Sequence, residues 1–442
     1  MPSNTDTFAS AAGADSRLRQ RNYRLAEDLF EQFRTMSFDG VGISRETYGA
    51  GETAAMEVVE QLARRSGFET RWDAARNLIV RMAGRDPSLP VVASGSHLDS
   101  VPQGGNYDGA AGVIASWLAL LSAQERGPPL RTIELYVLRG EESAWYGGPC
   151  YFGSRALFGK LTDADFSVQH RSSGRTLAHH MIDCNVDLPV LKARTPLIDP
   201  KRIACWLELH IEQGPVLIAK ERPVGIVTGI RGNVRHRRVV CTGEAAHSGA
   251  VPRWLRHDAV MATAELLVRL DEHWRVLLEW GEDLVLTAGI IETNSREHSI
   301  SRVPGEVSFA LEYRSQDVKT LKSFRTLLSS ECSQVGKKRG VNFELGTGAL
   351  TEPARMSEGV NALLQATASA LKIPFELLPS GAGHDSAVFA NASVPAAMIF
   401  VRNDKGSHNP YEAMDMADFH AGSELLTQAI WAAANRAEGF AL

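Results

Sequence analysis

The chain has 442 residues, a net charge of −5 at neutral pH, and a composition that is 44% hydrophobic and 22% charged. That length is more than one core holds and predicts two domains, while the composition excludes a largely disordered chain. The acidic balance and the absence of a lysine or arginine run exclude a nucleic-acid footprint, with RGNVRHRR (231–238) read as a solvated strand face, and no apolar stretch reaches the ~18–20 residues of a membrane span.

A polar leader of about 17 residues opens the chain and lacks the basic start and apolar run of a signal sequence, which points to a cytoplasmic protein. NYRLAEDLFEQF and AAMEVVEQLARRSG then read as helices, each with apolar residues three and four apart. Short β-branched or aromatic runs follow, NLIVRMAG, PVVASG, TIELYVLRG and CWLELHIE, with the helical stretch GVIASWLALLSAQE among them. This order predicts an α/β domain whose sheet is covered by helices. From Pro223 the texture changes to the strands PVGIVTGIRG, RRVVCTGEA, LVLTAGIIET and VSFALEYRS, with amphipathic helices at 255–280 and 317–336. Helix and strand resume with VNALLQATASALK and PAAMIFV, which runs into the loop RNDKGSHNPYE. The expected arrangement is therefore a first domain of residues 1–222 and 340–442, interrupted by a smaller α+β domain at 223–339.

Chemistry-bearing residues gather where predicted strands end. PVVASGS ends at His97, TIELYVLRG at Glu141 and Glu142, CWLEL at His210, and PAAMIFV is followed by His408, while Asp108 lies in the glycine-rich loop after His97. In open α/β sheets the ligand crevice lies outside the carboxyl ends of the strands, so these side chains can converge. Imidazole and carboxylate suit Zn, Mn, Co or Ni. The five cysteines are scattered and form no CxxC pair, so any metal here takes N and O ligands. The set exceeds one tetrahedral shell, and two ions bridged by one carboxylate use all of it. Each residue alone admits a plainer reading: Asp108 as a helix cap, the paired glutamates as a solvated corner, the histidines as hydrogen-bonded core residues. Their coincidence at strand ends favours the metal centre.

The segments GSHLDSVPQGGNYDGAAG, EES, ELHIEQGP, GEAAHSGAVPRWLRHDA, GAGHDS and GSHNPYE occur in the order and spacing of the M20-type binuclear metallohydrolases. Among these the chain most resembles the hydantoinase/carbamoylase group of N-carbamoyl-L-amino-acid hydrolases, allantoate amidohydrolases and β-ureidopropionases. The resemblance implies an α/β metallopeptidase-like catalytic domain with helices covering a mixed sheet, and an inserted lid and dimerisation domain. It implies two divalent metal ions held by His97, Asp108, Glu142, His210 and His408, with Asp108 bridging and Asp99 orienting the ring of His97. Glu141 becomes the general base for a metal-bridging hydroxide, and His247 and His384 stabilise the oxyanion. Arg314 clamps the carboxylate of a small substrate, with Gln213 and Ser301 as further substrate contacts, in a homodimer.

The implied reaction is hydrolysis of a linear C–N bond, N-carbamoyl-L-amino acid giving amino acid, ammonia and carbon dioxide. Allantoate or ureidoglycine-type substrates and N-acyl-amino acids remain alternatives, as does a silent metabolite-binding protein. Two departures bear on the substrate. Ser301 stands where relatives commonly carry Asn, and Trp145 with Tyr146 stand where many carry Arg-Phe, which predicts an apolar wall near the base and a bulkier or less anionic substrate.

Overall fold

The computed structural model describes residues 4–297 and 299–441 and resolves two compact units, one running up to Thr228 and resuming at Met356, the other spanning Gly229–Arg355. In the first unit, α1 (Asn4–Ser37) extends the helix expected from Asn22 back through the polar leader, and α2 (Ala50–Arg65) follows. The sheet is built on β1 (Glu69–Trp72), β2 (Leu78–Met82), β3 (Val91–His97), β4 (Ile133–Leu138) and β5 (Ile203–Ile211). Every residue of β3, β4 and β5 is buried, as suits parallel strands covered on both faces. β3 pairs parallel with β4 and β5, and β5 pairs parallel with the strand Ala396–Val401. β1, β2 and β6 (Val224–Ile230) join antiparallel at the flanks, so the sheet is mixed. The shared direction of the four central strands puts their carboxyl ends along one edge.

α3 (Ala110–Arg126) is buried from Ala110 to Ala123, which explains its nearly unbroken apolar sequence. It packs on the sheet and on the helix Met416–Ala434. Gly112 permits this approach: a Cβ there would lie 2.2 Å from the carbonyl of Leu209 and 2.6 Å from the side chain of Ser96.

The second unit is an antiparallel sheet of β7 (Gly232–Thr242), β9 (Val285–Thr293) and β11 (Glu306–Ser315), packed on the helices Ala259–Glu279 and Val318–Arg339 around Val239, Leu266, Phe309 and Phe324. A small pair, β8 (Ala246–His247) and β10 (Arg302–Val303), completes it. Both expected boundaries move. Val224 and Ile226 pair with Val401 and Ile399, which keeps 223–228 in the first unit. Asn342–Glu344 and Ala349–Thr351 both pair with β7, which draws 340–355 into the second.

A buried ion pair holds the end of β4. Glu52 of α2 accepts from Arg139 Nη1 (2.8 Å) and from the backbone N–H groups of Tyr48 (2.8 Å) and Gly140 (2.9 Å), and neither charged side chain is exposed. Burial raises the Glu52 carboxyl to about 7, against the pull of Arg139. Removing one partner of such a pair leaves an uncompensated charge and costs about 3–5 kcal/mol. We expect Glu52→Ala to lower the unfolding free energy by that amount in urea titrations, and Glu52→Gln, which keeps the acceptor for Gly140, to cost less.

Candidate metal centre

At the carboxyl edge of the sheet, His97 closes β3, Glu141 and Glu142 follow β4, His210 lies at the end of β5, and His408 sits in the loop after Ala396–Val401. All face Asp108. Its Oδ1 lies 3.1 Å from His210 Nε2 and 3.5 Å from His97 Nε2, while its Oδ2 lies 3.5 Å from His408 Nε2. Glu142 Oε1 is 3.6 Å from His408 Nε2. Two groups of ligand atoms result, His97/Asp108/His210 and Asp108/Glu142/His408, each within 4.8 Å, and Asp108 belongs to both. The helix-cap reading of Asp108 is set aside, because α3 is capped by Gly109 at φ +66 and no side chain caps it. Only glycine fits there: a Cβ would lie 2.5 Å from the ring of His97.

The residues fit divalent cations. His97 Nε2 and Glu142 Oε1 are buried without a hydrogen-bond partner. His97 Nδ1 lies 3.1 Å from the carbonyl of Asp99, and His210 Nδ1 2.9 Å from that of Ile211, so each ring places its hydrogen on Nδ1 and turns the Nε2 lone pair to Asp108. Burial drives Glu141 and Glu142 well above the usual carboxylate range, His97 opposing the rise in both. Asp108 is held well below it: burial raises it, but His210 and His97 outweigh burial. Four carboxylates with only imidazoles and the buried Arg45 for balance lack positive charge, which a divalent ion supplies.

Asp99 links the two loops. Its Oδ1 is 3.2 Å from His97 Nδ1 and accepts the N–H of Glu141 (3.0 Å), while Oδ2 accepts the N–H of Glu142 (3.1 Å) and the hydroxyl of Thr47. Glu141 Oε2 lies 3.9 Å from His97 Nε2. His384 is buried with its ring centroid 4.5 Å from that of His210, and its Nε2 is 3.0 Å from the Ser380 hydroxyl. Burial and then His210 hold its pKa well below the ordinary value, so it is neutral. Gln213 donates to Asp108 Oδ2 at 2.7 Å.

His247, Ser301 and Arg314 lie in the second unit. There His247 on β8 faces Arg302 on β10, and its Nδ1 accepts from the N–H groups of Gly249 (3.1 Å) and Ala250 (3.2 Å), which leaves its hydrogen on Nε2. The backbone carbonyl of Ser301 accepts the N–H of Ser248 at 2.9 Å. Arg314 is gripped by Glu312, whose Oε2 accepts from Nε (3.0 Å) and Nη2 (2.9 Å).

Two residues with roles at the centre were not singled out from the sequence. Glu412 is buried; its Oε1 accepts the N–H groups of Tyr107 (2.9 Å) and Asp108 (3.3 Å), and its Oε2 accepts from Ser407 (2.5 Å). Its position at the end of the GSHNPYE segment was the available signal. Thr47, bonded to Asp99, carries none. The apolar wall expected from Trp145 and Tyr146 loses Tyr146, which packs inside a cluster with Phe152, Leu177 and Met181; Trp145 is half-buried, with its indole N–H on the carbonyl of Ser100 (2.6 Å).

The comparisons with known proteins agree with this geometry. Residues 93–432 match the family model described as peptidase family M20/M25/M40. The chain belongs to that family. It is 33% identical over 377 residues to allantoate amidohydrolase of Escherichia coli (strain K12), covering 84% of this chain and 89% of that one. It is also 33% identical over 419 residues to N-carbamoyl-L-amino acid amidohydrolase of Geobacillus stearothermophilus, covering 92% and 97%. A hydantoinase/carbamoylase family amidase of Burkholderia ambifaria has a similar structure, with TM-score 0.81 at 28% identity over 96% of this chain and 98% of that one. M20 enzymes are metal-dependent, and the groups on Asp108 are the candidate ligands in this member.

Two outcomes follow from the geometry. Outer contacts that hold metal ligands typically account for about 10–100-fold in affinity, so Glu412→Ala should weaken metal binding by that factor in chelator competition. Glu412 and Asp385 are both raised to about 7, chiefly by burial. A folded pKa above the unfolded one means the folded state holds extra protons, so the contribution of these two groups to metal-free stability is full at low pH and is lost as pH rises through about 4 to 7. Chelator-stripped protein should therefore melt several degrees lower at pH 7.5 than at pH 5, and added Mn or Zn should recover more at pH 7.5.

Proposed function

We propose that this chain is a two-metal amidohydrolase that cleaves the ureido C–N bond of a small carboxylate-bearing substrate, with N-carbamoyl-L-amino acids as its substrate class. The observation that carries the reading is the shared Asp108, which serves two ligand groups while the buried carboxylate of Glu141 stands beside them. Divalent ions held by His97, Asp108 and His210 and by Asp108, Glu142 and His408 supply Lewis acidity, polarising the scissile carbonyl and acidifying water toward neutral pH. Zn, Mn, Co and Ni all suit these ligands.

The protein's own groups do the rest. Glu141, kept basic in reach of His97 and oriented through its backbone by Asp99, takes a proton from the attacking water and returns it to the leaving nitrogen. Neutral His384 stands beside His210 with its ring N–H held on Ser380, and the family resemblance gives it and His247 the stabilisation of the developing oxyanion. Arg314, its fork held by Glu312, takes the substrate carboxylate, with Ser301 and Gln213 as polar contacts. A carbamoyl substrate and one water give amino acid, ammonia and carbon dioxide.

The test is ammonia and amino-acid release from N-carbamoyl-L-amino acids, N-carbamoyl-β-alanine, allantoate and N-acetyl-amino acids, with chelated enzyme reloaded with each metal. We expect metal-restored turnover on carbamoyl substrates, and a kcat lower by about 10²–10⁴-fold in Glu141→Gln at unchanged metal content. Turnover of allantoate alone would reassign the substrate within the same mechanism. Silence across the panel with metal bound would overturn the catalytic reading in favour of a metabolite-binding protein.

A further inference from the structure

A second set of metal-ligating side chains lies in the first unit on residues with no part in the centre built on Asp108. Glu46, His170 and His180 present ligand atoms that all lie within 4.8 Å of one another. Local sequence explains the meeting. In QHRSSGRT, Gln169 bridges Thr176, the N–H of His170 reaches the carbonyl of Arg175 (2.8 Å), and Gly174 takes φ +67 and donates back to His170 (2.9 Å). The tight turn leads into the helix Leu177–Asp183, which sets the ring of His180 4.9 Å from that of His170. Glu46, in the loop before α2, brings its Oε1 to 3.0 Å from His170 Nε2 and 3.5 Å from His180 Nδ1.

Three further observations point to a ligand. His170 is 1% exposed, and its Nε2 makes no well-directed hydrogen bond despite the approach of Glu46. The nitrogens facing away from Glu46 meet serine hydroxyls, His170 Nδ1 at Ser172 (3.2 Å) and His180 Nε2 at Ser173 (3.0 Å), which can accept the N–H that a coordinating imidazole carries on its far side. The Tyr146 hydroxyl, on a ring set edge-on to both imidazoles, is buried without a partner. The backbone N–H of Ser173 also points at His170 Nδ1 (3.2 Å), which favours hydrogen on Nε2 in the absence of an ion. Coordination moves that hydrogen to Nδ1, with Ser172 as acceptor, and requires the Ser173 N–H to turn from the ring. The Glu46 side chain is 35% exposed, giving an ion an entry path and room for water as a fourth ligand.

We propose that Glu46, His170 and His180 form a further divalent-cation site of the two-imidazole, one-carboxylate type, suited to Zn, Co or Ni, which clamps the 170–175 turn and the helix Leu177–Asp183 to the loop before α2. The ion is structural: Trp145 stacks on His170 with ring centroids 5.5 Å apart, and the next residue after Glu46, Thr47, bonds Asp99. The site is independent of the catalytic reading.

The test counts ions per chain by mass spectrometry after Zn loading and dialysis. Wild type should hold one ion more than His180→Asn or Glu46→Gln, and Asp108→Ala should keep this ion while losing those of the centre. The Co-loaded wild type minus Glu46→Gln difference spectrum should show tetrahedral Co bands. The conservative Glu46→Gln change sits at a partly exposed position, so it keeps the test open should His180→Asn misfold. Equal counts in wild type and Glu46→Gln, or a featureless difference spectrum, overturn the proposal and leave the three residues as a hydrogen-bonded triad.

Discussion

The carboxylate of Asp99 is the contact on which the centre depends. It meets the ring of His97 from one strand end and the backbone N–H groups of both Glu141 and Glu142 from the next. A single buried anion therefore sets the orientation of one ligand and the position of the base and another ligand together. Hydrogen bonds from N–H groups to a carboxylate are stronger than neutral ones and demand good geometry, so the spacing of the β3 and β4 loops is fixed by chemistry as well as by strand pairing. Thr47 and Arg45 extend the hold, Thr47 through its hydroxyl and Arg45 by donating to the carbonyl of Leu98.

Burying so many acids is unfavourable unless each is paired, hydrogen-bonded or bound to a cation. The first unit shows the first two of these solutions. Glu52 takes Arg139, Glu208 takes the hydroxyls of Ser96 and Ser386, and Glu412 takes two backbone N–H groups and Ser407. At the two ligand groups, His97 Nε2 and Glu142 Oε1 are left without hydrogen-bond partners. Glu52, Glu208 and Glu412 are satisfied internally, while one ligand atom in each of the two ligand groups is not.

The carboxyl-edge arrangement was readable in the chain because parallel buried strands write themselves as continuous apolar runs, so His97, Glu141, Glu142 and His210 could be placed at their ends; His97, Glu142 and His210 do gather on Asp108, with Glu141 beside His97. The domain crossings were less readable. Val224–Ile230 looks like any edge strand, and only its pairing with Ile399 and Val401 decides which unit holds its start. Thr47 was invisible as a partner because its bond spans 52 positions and no local pattern encodes such a contact, while Glu412, whose bond spans 304, was marked only by its place at the end of GSHNPYE. Tyr146 misled for the same reason: proximity in sequence to Glu142 says nothing of its ring turning into a separate apolar cluster.

Backbone strain marks the same edge. Gln213, His408 and Tyr151 adopt φ of +62, +60 and +57, a left-handed conformation that costs a residue with a Cβ about 1–2 kcal/mol. Each lies in a loop leaving one of the central strands. Around each bend a hydrogen bond holds the chain: the N–H of Gln213 on Asn403 Oδ1 (2.9 Å), that of Tyr151 on the carbonyl of Glu141 (3.1 Å), and the amide of Asn409 on the carbonyl of Ser407 (3.1 Å) beside His408. Such strain persists where surrounding contacts over-determine the chain, and its effect here is to point Gln213 and His408 back at Asp108 where a relaxed turn would carry them away. The rigidity of the centre thus comes from short bent loops held at both ends, with the parallel strands beneath them supplying the fixed frame.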